Sequence, residues 1–126
     1  MNDISRKIRV SVQSQYIAQQ SEPAQDHYVF AYTVTISNRG DVAANLLRRH
    51  WVITDAKGRT FEVKGEGVVG EQPYLKPGED FEYTSGTRLD TPTGSMHGSY
   101  LMRTDEGLEF EVEIPTFILA KPKALH

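Results

Sequence analysis

The stretch Lys64-Gly65-Glu66-Gly67-Val68-Val69-Gly70-Glu71-Gln72-Pro73-Tyr74-Leu75-Lys76-Pro77-Gly78-Glu79 decides how the chain is read. It contains a formal G-x-G-x-x-G over 65–70, four of the ten glycines and two of the six prolines. In a dinucleotide-binding fold such glycines lie between a strand and a helix whose N-terminus holds the pyrophosphate. A strand is predicted just ahead, at Phe61 to Lys64, but Pro73 and Pro77 follow Gly70 too closely for a helix. A proline inside a helix costs about 3 kcal/mol, so the nucleotide fold is excluded. A P-loop fails too, because Glu71 stands where Lys followed by Ser or Thr is needed. The stretch is therefore loop and turn in a β protein. Its glycines either aim successive amides at an anion, with Lys64 adding charge, or make a tight, bulged crossing between sheets with Val68 and Val69 plugging the core. Lys76-Pro77-Gly78-Glu79 reads as a type II turn, proline presetting φ and glycine supplying the positive φ.

Outward from this stretch the pattern is that of strands. Tyr28, Phe30, Tyr32, Val34 and Ile36 fall on one face and Val29, Ala31, Thr33, Thr35 and Ser37 on the other, which predicts a central strand. Ile8, Val10 and Val12 alternate with polar residues in the same way. Leu47, Arg49, Trp51 and Ile53 are expected on one face of a further strand, with Trp51 packed between two sheets. Asp55-Ala56-Lys57-Gly58 is a hairpin turn, and Arg39-Gly40-Asp41 is read as part of a turn rather than an adhesion motif. Phe81, Tyr83 and Ser85 mark another strand, Leu89 to Met96 a loop, and Tyr100 and Met102 a strand. Leu108, Phe110, Val112 and Ile114 mark the last strand, expected to end at Pro115 for want of a donor. Phe117 to Leu119 is expected to dock on the sandwich. Strands recurring about every 8–12 residues predict an all-β sandwich of two antiparallel sheets with seven or more strands.

Composition narrows the function classes. The 126 residues fit one domain, 1–126, with 1–6 and 120–126 expected to fray. Cysteine is absent, which removes disulfides, thiolate nucleophiles and cysteine-ligated zinc together. A net charge of −3 argues against nucleic acid. No apolar run approaches the roughly 18 residues of a membrane span, and no secretory leader is evident; a cytoplasmic location is expected.

The run Gly65 to Glu79, followed by Phe81-Glu82-Tyr83-Thr84-Ser85-Gly86, closely resembles the ApaG family, called CorD in enteric bacteria. Ser37-Asn38, Leu47-Arg48-Arg49-His50-Trp51-Ile53, and Thr91-Pro92-Thr93-Gly94-Ser95-Met96-His97-Gly98-Ser99-Tyr100 extend the likeness, which covers about Ile8 to Phe117. The resemblance implies an immunoglobulin or fibronectin-III-like sandwich. It also implies a bacterial protein associated with cobalt resistance and magnesium efflux, without an established catalytic activity. Similar domains in eukaryotic proteins look like protein-binding modules.

The residues offer little catalytic chemistry. Ser85, Ser95 and Ser99 lack a nucleophile-elbow context, and His27, His50, His97 and His126 lack metal-ligand spacing. Glu109, Glu111 and Glu113 share one strand face, and Glu79, Asp80 and Glu82 form a second acidic cluster; both read first as solvated surface, with direct binding of a divalent cation, magnesium or cobalt, as the lesser alternative. No catalytic residue, metal ligand or cofactor is assigned. The expected activity is binding of an unidentified protein partner through two loops, Lys64–Tyr74 and Asp90–Tyr100, with Tyr74 and Met96 as apolar anchors. The alternative is a small-anion, pyrophosphate or nucleotide binder using 65–70. Lys64, Gly65, Gly67, Val68, Val69, Gly70, Tyr74, Met96 and His97 are the candidate partner- or anion-contacting residues. An open sandwich also leaves edge strands through which a homodimer can form.

Overall fold

The computed structural model describes residues 7–123. Among them are eight strands: β1 (Ile8–Tyr16), β2 (Tyr28–Asn38), β3 (Ala44–Asp55), β4 (Thr60–Glu66), β5 (Tyr74–Leu75), β6 (Asp80–Leu89), β7 (Thr93–Thr104) and β8 (Glu109–Ala120). One antiparallel sheet has the order β1-β2-β6. The other has the order β4-β3-β7-β8, with β5 pairing to β3 beyond the end of β4. This is the all-β sandwich of two antiparallel sheets that the alternation predicts, in keeping with the immunoglobulin or fibronectin-III-like fold that the resemblance implies. Two short 3-10 turns, Ala18–Gln20 and Pro23–Gln25, occupy the connection between β1 and β2.

The core follows from period-2 patterning. Tyr28, Phe30, Tyr32, Val34 and Ile36 of β2 are all buried, and β2 is the middle strand of its sheet. They meet Leu46, Trp51, Met96, Tyr100, Met102, Val112 and Ile114 of the facing sheet. Burying one such side chain contributes about 1.5–3 kcal/mol. Trp51 stands at the centre, with ring centroids 5.3 Å from Tyr32 and 5.8 Å from Phe117. At the β2–β3 corner Asn38 is buried but satisfied: its Nδ2 donates to the carbonyls of Val42 and Leu75, and its Oδ1 accepts from Gly40 N. The β3–β4 hairpin is fixed by Asp55, whose carboxylate accepts from the amides of Lys57 and Arg59 and from the Arg59 guanidinium. Burial opposes its ionisation, but these donors prevail and hold it below the usual carboxylate range.

Four details depart from the sequence reading. A register shift between Leu46 and Arg48 puts Leu46, rather than Leu47, into the core on the same side as Trp51 and Ile53; a bulge reverses the facing that simple alternation assigns. β8 does not stop at Pro115. The β7–β8 register jumps between Met96 and Gly98, so Pro115 and Thr116 fall outside the one-to-one ladder and no proline donor is needed there. The loop expected from Leu89 to Met96 shrinks to 90–92, because Gly94 and Ser95 are already ladder residues opposite Asp55 and Thr54. Ala120, expected to begin a frayed tail, pairs with Thr93, and the next amide, of Lys121, donates to Pro92 O at 2.9 Å. Residues 1–6 and 124–126 of the expected frayed ends lie outside the described residues.

Candidate functional site

The glycine stretch is a hairpin between β4 and β5. Val68 and Glu71 exchange both backbone hydrogen bonds, at 2.8 and 2.9 Å, around Val69 and Gly70. Both central residues have positive φ, +42° at Val69 and +81° at Gly70, the mark of a type I′ turn. Gly67, also at positive φ, lies where a Cβ would sit 2.1 Å from Glu71 O. Its amide donates to Leu47 O at 2.8 Å. The amides of Gly67, Val68 and Glu71 are thus committed to backbone carbonyls, and the glycine spacing serves the turn itself. Asn45 Nδ2 donates to the carbonyls of Gln72 and Pro73, Leu46 N to Pro73 O, and Gln72 Nε2 to Leu47 O, which fasten the returning arm to β3. Beyond it, Lys76-Pro77-Gly78-Glu79 closes as predicted, with Gly78 at φ +87° and Glu79 N donating to Lys76 O.

The candidate residues separate once they are placed. Val68 is fully buried and plugs the core, whereas Val69, paired with it in the sequence reading, is 53% exposed. Tyr74 is exposed as well; its hydroxyl donates to Asp105 Oδ2 at 2.8 Å, which raises the phenol above its ordinary pKa. Lys64 and Gly65 belong to β4 and not to a loop. Met96 cannot be an apolar anchor. It lies in β7 opposite Ile53, 1% exposed, because its side chain takes the inward face of that strand. His97, its neighbour, is turned out on the opposite face and exposed, so the second expected contact loop is a strand with alternating faces.

On the outer face of the five-stranded sheet, Arg48, His50, Lys64, Glu66, Ser99, Leu101 and Glu111 line an open groove of ≈ 380 Å³. His50 Nε2 and Glu62 Oε1 are 2.7 Å apart beside it. Arg49 lies one residue out of phase with these neighbours and crosses the edge of the sheet. Its Nη1 donates to the carbonyls of Glu66 and Gly67, at 3.0 and 2.9 Å. Its guanidinium occupies the place of a Gly65 side chain: a Cβ there would be 2.7 Å from Nη2. The first glycine of the motif is therefore the seat of Arg49. Among the described residues no three histidine or carboxylate side chains converge closely enough to hold an ion.

A group that sequence reasoning missed lies inside. Tyr83 and Tyr100 share a hydrogen bond between their hydroxyls across the two sheets, and Tyr32 is buried in the same core. Burial pushes Tyr83 up to about 12, with its hydrogen bond to Tyr100 opposing, and pushes Tyr100 and Tyr32 up as well. Arg49 favours the ionised phenols but does not overcome burial. Since the folded pKa values exceed the ordinary 10.0, the stabilisation from neutral phenols is complete below pH 10. It is lost as the pH rises toward about 12, where Tyr83 itself ionises in the folded protein. Urea titrations at stepped alkaline pH are expected to show stability level up to pH 10 and falling beyond it. Constant stability across that interval would mean that the phenols are not buried as described.

A family model described as the ApaG domain matches residues 18–104. Protein ApaG of Nitrosomonas eutropha is 58% identical over 125 residues, covering 99% of this chain and 98% of its own. Protein ApaG of Pseudomonas paraeruginosa is 55% identical over 126 residues, covering both chains completely. A crystal structure of a Bordetella pertussis protein described as ApaA superimposes with a TM-score of 0.90 at 52% identity, over 92% of this chain and 94% of that one.

Proposed function

Because the chain belongs to the ApaG family, we propose that it is a non-catalytic binding module that docks a protein partner on the β4–β5 hairpin end of the sandwich. Any effect on cobalt resistance and magnesium efflux is then exerted in the cytoplasm through that partner, a link that rests on the family resemblance alone. The observation carrying the docking surface is Val69. A β-branched residue at φ +42° is strained by about 1–2 kcal/mol, and this one is 53% exposed, so no core packing offsets the strain. Strain held at an exposed apolar tip is what a contact surface would maintain. Tyr74 stands exposed on the returning arm, and Val42 and Leu108 are exposed at the same end of the sheet, next to β3 and in the β7–β8 turn.

The test uses a stability change that runs opposite to the binding change. Val69→Asn gives the turn a residue that tolerates positive φ before Gly70. It is expected to raise the unfolding free energy by about 0.5–1 kcal/mol, read from the urea midpoint. The same variant, and Tyr74→Ser, are expected to lose a bacterial protein that the immobilised native chain retains, quantified by mass spectrometry. If the native chain and both variants retain identical proteins, the hairpin is not the docking surface.

A second reading, an anion site for pyrophosphate or a nucleotide, is favoured by Arg48, His50 and Lys64 lining one groove. With three of the hairpin amides already bonded, the charged side chains would supply the contacts in place of a glycine nest. Titration with pyrophosphate followed by amide NMR would support it through shifts at Arg48, Lys64 and Gly65. No shift at those residues would remove it.

A further inference from the structure

We propose that β4 is a pairing strand for a second copy of this chain, the two β4 strands running antiparallel about a two-fold axis at Val63. This surface is independent of the hairpin tip. Among the described residues β4 is paired on one side only, by β3, in an unbroken register from Arg48↔Glu66 to Thr54↔Thr60. The opposite margin of the sandwich is closed: β1 and β8 lie against each other, with Ser14 Oγ donating to Ile118 O at 2.8 Å. The β4 margin is left open, its charges Glu62, Lys64 and Glu66 being of mixed sign and all on one face. It has no proline and no bulge, and it exposes Phe61 (49%) and Val63 (42%) on one face.

Backbone parity limits the partner. Arg59 O accepts from Asp55 N at 3.0 Å, and Gly67 N donates to Leu47 O at 2.8 Å. Alternate residues of an antiparallel strand bond to alternate sides, so the odd-numbered residues between them face β3. The N–H and C=O groups of Thr60, Glu62, Lys64 and Glu66 then point out from the edge. A second β4 must place its own even-numbered residues opposite these, which leaves whole-residue shifts of the centre. Centring on Glu62 sets Glu62 against itself, and centring on Lys64 sets Lys64 against itself and Glu62 against Glu66. Centring on Val63 uses the whole of Thr60–Glu66 and sets each Glu62 against Lys64 of the other copy. On the other face it puts Val63 against Val63 and Phe61 against Gly65. Gly65 carries the Arg49 guanidinium across it, so the incoming Phe61 ring meets a cation on an otherwise bare glycine. Both faces select the same register. The contact is isologous and closes as a dimer, with no further strand to add.

Sedimentation equilibrium on the purified chain tests this. The native chain is expected to dimerise reversibly. Glu62→Lys and Lys64→Glu each bring like charges together at two symmetric positions and are expected to weaken dimerisation about tenfold or more. The double exchange Glu62→Lys with Lys64→Glu is expected to restore it. So is an equimolar mixture of the two single variants, in which every facing pair is opposite in sign. Both side chains are exposed and far-UV circular dichroism checks each variant for folding. A native chain that stays monomeric up to about 1 mM overturns the proposal. So does a dimer indifferent to the exchanges, or a monomer that takes only an unrelated extended peptide.

Discussion

Gly98→Ala is expected to destabilise the protein by about 3 kcal/mol or more, although it adds a single methyl group. Gly98 lies in β7 opposite Trp51 of β3. A Cβ built on it meets His50 O at 2.0 Å, His50 C at 3.0 Å and Trp51 Cα at 3.1 Å. All three are backbone atoms of a strand held by ladders on both sides, so none can rotate out of the way as a side chain would. The methyl group can fit only if β3 and β7 part, and that breaks hydrogen bonds at the point where Trp51 is packed. Against a total stability of about 5–15 kcal/mol, the loss would appear as a large fall in the urea midpoint and a poor yield of soluble protein. Gly58→Ala is the matched control: nothing lies within 4 Å of its Cβ, and only its φ of +81° opposes the change. It should cost about 1 kcal/mol. Equal effects at the two positions would mean that conformational strain, and not the approach of β3, governs Gly98.

Gly98 also shows why part of this fold was legible in the sequence and part was not. The inward face of β2 could be read directly, because Tyr28 to Ile36 alternate without interruption and both neighbouring strands pair in register. The prolines after Gly70 were enough to exclude a nucleotide fold. What a single strand's pattern cannot carry is the position of a bulge. The shift after Leu46 and the jump at Pro115 are set by neighbouring strands, and each reversed a facing or moved a boundary. In the same way, the small residues of Thr93-Gly94-Ser95 resembled a loop because their spacing answers to the backbone of β3 and not to the core. At the candidate site, the sequence singled out a stretch with a special backbone but not how its residues are placed. Val68 and Val69 are indistinguishable in composition, yet one is sealed in the core and the other stands in solvent. Arg49 lies on Gly65 from a different strand. The tyrosine hydroxyls meet from β6 and β7. Such contacts between distant positions leave no local signal.

Trp51→Ala is expected to cost about 3–5 kcal/mol, enough to unfold a substantial fraction of the protein. Trp51 is 2% exposed and makes edge-to-face contacts in three directions: Tyr32 at 5.3 Å, Phe117 at 5.8 Å and Tyr100 at 6.4 Å. Tyr32 belongs to the facing sheet, so the indole joins the two layers, and its neighbours are rigid rings with little freedom to collapse into the space left behind. Each aromatic pair adds about 0.5–1.5 kcal/mol beyond burial, so Trp51→Phe, which keeps part of the contacts, should cost less than half as much. As Trp51 is the only tryptophan, unfolding of both variants is followed by far-UV circular dichroism instead of fluorescence. The comparison also separates stability from recognition. β3 carries the hairpin through Leu46 N and through the Asn45 side chain, with Leu47 O as acceptor, so Trp51→Ala should lower partner binding only by the fraction unfolded. Val69→Asn should lower it while the protein becomes more stable. A loss of binding that simply tracks unfolding across both variants would place recognition elsewhere than on the hairpin. Opposite signs would assign the exposed turn to recognition and the buried indole to the fold.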